Sequence, residues 1–291
     1  MELTILLALS SALVYGVSNV FAKLSLGHLH PVAVAALFTL TNLVVAAPIG
    51  FTTVPLEAYR WEGVVSFVLM GFVGYAGLRL VFAVGIQLLG VSRYAPIAGI
   101  YPVFTTLGAV AFLGEDPGGG VWAGTGVIAA GVLYMAMEES DGTWSRKHLV
   151  LPATQALLRT IGALLRKVGL TYMNTPMLAI AIGGVSGLAC LAVYLWIYRK
   201  DDAIWKFSVK GLGMGLMLGL SNTLAQYLYT VALSAGRVSL VIPLSSTAPL
   251  FAVLFTWLFL HDAEVIGRRT VVGGAAVVAG TVLITLRWGV Q

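Results

Sequence analysis

Two arginines, Arg79 and Arg159, fall inside long apolar stretches, and no aspartate or glutamate does. A charge inside an apolar span costs several kcal/mol and ordinarily faces a cavity or a partner. Arg79 shares a helical face with Tyr75 and Phe82, at i, i+4 and i+7 counted from Tyr75. Further along, Asn222, Gln226 and Tyr229 repeat that spacing. A guanidinium opposite amides and a phenol could hold a carboxylate or phosphate, because Arg makes forked bonds to both. Arg159 and Gln155 form a second polar strip, one turn apart. Asn19 and Asn42 are further amides in apolar runs. Such amides commonly join helices, and Asn19 also counts among the cavity residues. The competing reading is structural: Arg79 bonds freed carbonyls, while Asn222 and Gln226 hold helices together.

Two proline pairs mark where such a cavity would be built. Residues 94–104 read YAPIAGIYPVF, and residues 241–251 read VIPLSSTAPLF. Pro96 and Pro102 in the first, and Pro243 and Pro249 in the second, each free a carbonyl four residues upstream. In lipid an unmet carbonyl is tolerated only where protein, water or a solute meets it. Ser245 and Ser246 bring hydroxyls to the second pair. The four prolines are expected to act as hinges, and the serine-rich copy as the better solute contact.

The elements that must position these groups follow from composition. Hydrophobic residues are 59% of the 291, charged residues 10%, and mean hydropathy is +0.94. No soluble chain of this length hides that much apolar surface, so the solvent for most of it is lipid. The net charge of +5 then bears on topology rather than on nucleic acid. One cysteine, Cys190, excludes an intrachain disulfide, and no metal or cofactor set emerges. A bilayer core needs about 20 apolar residues as helix. Runs between turn-rich breaks fall at 3–24, 31–51, 63–89, 92–113, 120–137, 148–168, 175–197, 208–235, 239–260 and 268–287. The expected fold is an all-α integral membrane protein of ten transmembrane helices. Trp61, Trp144, Trp196, Trp205 and Trp288 sit near span ends, as an interfacial belt requires.

The proline pairs belong to a longer internal repeat. Ser92 aligns with Ser239, Phe104 with Phe251, and Glu115 with Asp262; past the loop, Gly124 aligns with Gly273 and Gly131 with Gly280. The chain divides into two halves of five spans, residues 1–140 and 141–291. An odd number of spans reverses direction, so the second repeat is inverted relative to the first. Inverted repeats with interrupted helices point to a secondary transporter with its solute at the repeat interface. The paired glycines recur at seven-residue spacing and would let the fifth and tenth spans pack closely as a scaffold.

The stretch YGVSNVFAKLSL resembles the first-helix pattern of the EamA family of the drug/metabolite transporter superfamily. YLYTVALSAGRVSLVIPLSSTAPLFAVLFTWLFLHD resembles its eighth-to-ninth helix pattern, and VGGAAVVAGTVL its last helix. The resemblance covers nearly the whole chain. It implies ten helices, alternating access, and export or exchange of amino acids and other metabolites. Two departures stand out. Many members carry an arginine where this chain reads AALFTLTN, and the second half closes on HD rather than GE.

A cavity with buried cations and no buried acid favours an anionic or zwitterionic small-molecule solute, such as an amino acid or carboxylate. It disfavours proton coupling through a membrane acid. A nucleotide-sugar or sugar-phosphate exchanger is the alternative within the class. Outside it stand a receptor or structural membrane protein and, last, a lipid-linked transferase, for which EDPGGG and HDAE are the only candidate sites and lie in different halves. Partners are membrane lipid and the solute, with no nucleic acid, and the chain acts as monomer or homodimer in the cell membrane. Orientation stays open. Arg60, Arg166, Lys167, Arg237 and Arg287 fall on the side of the N-terminus, against a larger basic set opposite, including Arg146, Lys147, Arg268 and Arg269. Positive-inside then puts the termini outside, whereas the family resemblance puts them in the cytoplasm.

Overall fold

The computed structural model describes residues 2–78, 81, 98–136, 146–197, 204, 206–259 and 268–287. Among these residues the regular elements are all helical. They are α1 (Glu2–Leu26), α2 (Pro31–Thr53), α3 (Trp61–Gly71), α4 (Tyr101–Leu113), α5 (Gly118–Ala136) and α6 (Val150–Tyr172). There follow α7 (Pro176–Ile197), α8 (Val209–Ala235), α9 (Val238–Ser245), α10 (Ala248–Phe259) and α11 (Arg268–Arg287). Short 3₁₀ turns precede α3 and α6, and α3 continues into a π-helical turn, Phe72–Gly77.

Local chemistry explains the ends. Pro31 opens α2, where its missing N–H costs nothing, and His30 Nδ1 accepts from Val32 N at 3.3 Å. Gly114 ends α4 at φ 64°, a left-handed cap open to glycine. Lys167 Nζ donates to the carbonyls of Leu233 and Gly236 at 2.6 and 2.7 Å, serving the free C-terminal end of α8.

The solvent preference is inverted relative to a soluble protein. Leu3, Val44, Phe112 and Val193 are exposed, whereas Ser11, Thr39, Asn42 and Thr230 are fully buried. A hydrocarbon exterior produces that distribution, because polar groups must be satisfied inside. Helices α1, α2 and α7 are each long and apolar enough to cross a bilayer by length and composition. Trp61 and Trp196 are exposed at helix ends; Trp144, Trp205 and Trp288 lie outside the described residues.

Packing is mostly between the halves of the chain. α1 lies against α8 and α10, α2 against α7 and α8, and α3 against α6 and α7. α4 meets α6 and α9, and α5 meets α11. Glycine permits the last approach: a Cβ on Gly131 would lie 2.7 Å from the Gly273 carbonyl, and one on Gly280 2.7 Å from the Gly124 carbonyl. The largest apolar core gathers where α1 begins, α6 ends and α8 turns into α9, around Phe67, Leu170, Leu233 and Leu240. All eight residues of α9 are buried there.

Among the described residues three elements depart from the expected spans, one of them the fourth, where a turn at Gly99 and Ile100 precedes α4. The ninth is interrupted: α9 stops at Ser245 and α10 starts at Ala248, with a turn at Ser246 and Thr247. Pro249, lacking an N–H, sits in the first turn of α10 where no helical donor is needed. The sixth runs to Tyr172, past the expected end at 168. Its stop comes just before the prolyl start of α7.

Candidate functional site

One face of α6 carries Gln155, Arg159, Gly162, Ala163 and Arg166, a continuous stripe at i, i+4, i+7, i+8 and i+11. All five line a cavity of about 860 Å³. The arginines are seven residues apart, about 10 Å along the axis. Arg159 is exposed and its guanidinium lies over the Tyr101 ring, 5.0 Å from the centroid. Arg166 is only 9% exposed and sits 5.2 Å from the Tyr229 centroid. The cavity is thus accessible at the Arg159 level and closes toward Arg166, on the side of the large apolar core.

Arg166 is held in a fixed pose. Its Nε donates to Met70 Sδ at 3.1 Å, one terminal nitrogen to Thr230 Oγ1 at 2.9 Å, and the other to Gln226 Oε1 at 3.1 Å. All three acceptors are neutral, so no protein charge among them offsets the guanidinium. A guanidinium has five N–H donors, and these bonds use three. The remaining two are free to meet a group entering the cavity.

The facing wall is α8. Gln226 Nε2 donates to Asn222 Oδ1 at 2.9 Å, which leaves Gln226 Oε1 as the acceptor for Arg166. Asn42 on α2 is fully buried beside them. It is satisfied with its nitrogen donating to Thr223 Oγ1 (2.6 Å) and its oxygen accepting from Gln226 Nε2 (2.9 Å). Each amide is therefore oriented by the next, from α2 through α8 to the arginine on α6.

The broken helix supplies the third wall. Ser245, Ser246, Ala248 and Pro249 line the cavity, with Gly99, Tyr101 and Pro102 from the α4 side. The Ser246 hydroxyl lies 2.8 Å from the Tyr101 hydroxyl, and the Ser245 hydroxyl 3.2 Å from that of Ser11 on α1. Ser246 Oγ and Thr247 Oγ1 also reach the carbonyls of Ile242 and Leu244, at 2.6 and 2.7 Å. These hydroxyls serve the interrupted backbone as well as facing the cavity.

Of the residues singled out in the sequence, Asn19, Arg159, Asn222, Gln226, Tyr229, Ser245 and Ser246 line this one cavity, together with Pro102 and Pro249. Pro243 is buried within α9 behind the wall. Arg79 and Pro96 lie outside the described residues, as does the side chain of Tyr75, whose backbone belongs to the π turn. A cation does meet the Asn222–Gln226–Tyr229 face, and it comes from Arg166 on α6. From sequence, Arg166 counts with the basic residues on the side of the N-terminus, at the end of the span 148–168, and not on the cavity face. The signal that would have found it is the stripe itself, since Arg166 continues the Gln155–Arg159 register. Tyr15, Phe38 and Tyr101 were also missed. Nothing but position separates them from aromatic side chains packed elsewhere.

The fold and cavity define a class, a helical membrane protein built around an internal chamber with polar groups set in a largely apolar lining. Two segments, residues 2–137 and 149–286, match the EamA-like transporter family. The chain belongs to that family. It is 30% identical over 168 residues to a riboflavin transporter of Rhizobium johnstonii, a match covering 56% of this chain and 51% of the relative. The match thus spans about half the length of that curated relative. A solved crystal structure superposes with a TM-score of 0.81 over 98% of this chain and 96% of the other, at 17% identity, a likeness of fold.

Proposed function

We propose that the chain is a ten-span carrier of the cell membrane that moves a small organic anion or zwitterion by alternating access, as export or exchange. The observation that carries this reading is Arg166, a buried guanidinium with three neutral acceptors and two donors to spare. A carboxylate or phosphate would complete it with forked, charge-assisted bonds. Arg159 stands above it at the accessible level and would attract the anion first. Tyr15 and Phe38 line the same cavity, and an ammonium meeting aromatic rings there would accommodate an amino acid.

Two inverted repeats, residues 1–140 and 141–291, are part of this reading. The double family match supports the division. So does the packing, in which each of the larger helix–helix contacts has a counterpart when the halves are exchanged. The α1–α8 contact then corresponds to α6–α3, α2–α8 to α7–α3, and α1 against the ninth span to α6 against α4. Contacts of the second span with the seventh, and of the fifth with the tenth, correspond to themselves.

A second reading is a planar heteroaromatic solute. Its support is the name of the Rhizobium relative and a wall that pairs four aromatic rings with the amides of Asn19, Gln155, Asn222 and Gln226. The test is uptake into proteoliposomes of glutamate, succinate, glucose 6-phosphate and riboflavin. Saturable flux of an anion or zwitterion, lost in Arg166→Met, is expected. Riboflavin flux indifferent to Arg166 would favour the second reading. Saturable binding with no flux of any probe would mean a receptor.

A further inference from the structure

We propose that Glu115 is the latch of a gate that seals the cavity at the α8–α9 end of the bundle. Glu115 follows the C-terminal cap of α4, in the first half of the chain. Its carboxylate reaches across to the start of α9, in the second half. Oε1 accepts from Val238 N at 2.7 Å, and Oε2 accepts from Ser239 N at 2.9 Å and from Ser239 Oγ at 2.6 Å. A carboxylate on the first N–H groups of a helix also meets the positive end of the helix dipole. Arg237 answers in the other direction, donating to the Asp116 carbonyl at 2.7 Å. Four bonds thus tie the loop after α4 to the two residues that begin α9 and the one before them.

What lies behind these bonds makes them a latch rather than an ordinary cap. α9 is buried along its whole length in the largest apolar core, and that core separates this end from the Arg166 level of the cavity. α9 hinges on the cavity at its other end, where the turn at Ser246 and Thr247 interrupts the helix beside Tyr101. A segment pinned at one end by a carboxylate and jointed at the other can swing as a unit. Alternating access, the reading proposed above on which this inference rests, requires this end to open in the opposite state. Opening separates α4 from α9, and the Glu115 bonds are the polar ties between them that must break.

The test reads accessibility and needs no solute, so it can fail independently of any solute assignment. With Cys190→Ser as background, Val241→Cys places a small thiol in the middle of α9, where Val241 is fully buried. Its labelling by a membrane-impermeant maleimide is followed in proteoliposomes, with Glu115 intact and as Glu115→Gln. Glutamine cannot accept all three bonds, and a lost charge-assisted bond shifts an open–closed equilibrium roughly ten-fold or more. Labelling should rise by that order and from the N-terminal side alone. Ser239→Ala, which removes only the hydroxyl bond, should raise it less and in the same direction. It also carries the test if Glu115→Gln fails to fold. Unchanged labelling in a folded variant, or an equal rise from both sides, would overturn the latch.

Discussion

Replacing Arg166 by Met separates binding from stability more sharply than any other change the structure suggests. The side chain lines the cavity and makes three bonds to neutral acceptors, leaving two of its five N–H donors over. An anion taking both would gain two bonds to a charged group, each worth about 1.5–3 kcal/mol. Removing them should weaken a carboxylate or phosphate by roughly a hundred-fold or more, at about 1.4 kcal/mol per decade. Stability should move far less. The lost internal bonds are offset by no longer burying a cation, which itself costs several kcal/mol. Thr230 and Gln226 keep other partners, through the Gln226 carbonyl and through Asn222. The assay is thermal denaturation in detergent with and without succinate or glucose 6-phosphate. Bound ligand raises the midpoint by an amount set by RT ln(1 + [L]/Kd). Wild type should show a ligand-dependent rise, and Arg166→Met none up to millimolar probe at a nearly unchanged ligand-free midpoint. Arg166→Lys, which retains charge but loses the fork, should fall between. A full ligand response in Arg166→Met would refute the placement of the anion at this guanidinium.

Three other substitutions test neighbouring parts of the argument. Gly280→Leu would drive a side chain into the Gly124 carbonyl at 2.7 Å and the Ile128 nitrogen at 2.9 Å; it should destabilise by about 1–3 kcal/mol or more as α5 and α11 separate, read as a lower denaturation midpoint. Asn42→Ala strips Thr223 and Gln226 of a shared partner, and should cost about 1–2 kcal/mol and loosen the pose of Arg166, lowering anion affinity alongside stability. Tyr101→Phe keeps the ring under Arg159 but removes the hydroxyl beside Ser246; about 1 kcal/mol of stability should go, with solute affinity within a few-fold of wild type in the same binding assay.

Much of this was legible in the chain, and the failures have physical reasons. Apolar runs and turn clusters predicted the bounds of α1, α2, α7 and α8 closely, because in lipid the backbone must bond within its own helix and few alternatives compete. The spacing of Asn222, Gln226 and Tyr229 predicted one shared face, and α8 has that face on the cavity. Arg166 was not legible, since a basic pair normally marks a span end, whereas here Lys167 turns to the α8 carbonyls while Arg166 turns inward. The proline pair at 243 and 249 foretold an interruption. It did not foretell a clean division at Ser246–Thr247, where two hydroxyls add bonds to the Ile242 and Leu244 carbonyls at the end of α9. The Glu115 contact was invisible for a different reason: it joins residues more than a hundred positions apart, and only the folded pairing of α4 with α9 brings them together.

The neutrality of the partners around Arg166 has a kinetic consequence. An empty carrier that reorients must close its chamber over a cation whose named acceptors bring no charge, with the membrane voltage acting on whatever part of that charge moves. A carrier loaded with an anion closes over a neutralised pair. On the proposed alternating-access reading, the unloaded return is the slow leg of the cycle and the loaded crossing the fast one. Anion placed inside the vesicle should therefore accelerate uptake from outside, so that the protein turns over as an exchanger even though nothing mechanically couples one solute molecule to the next.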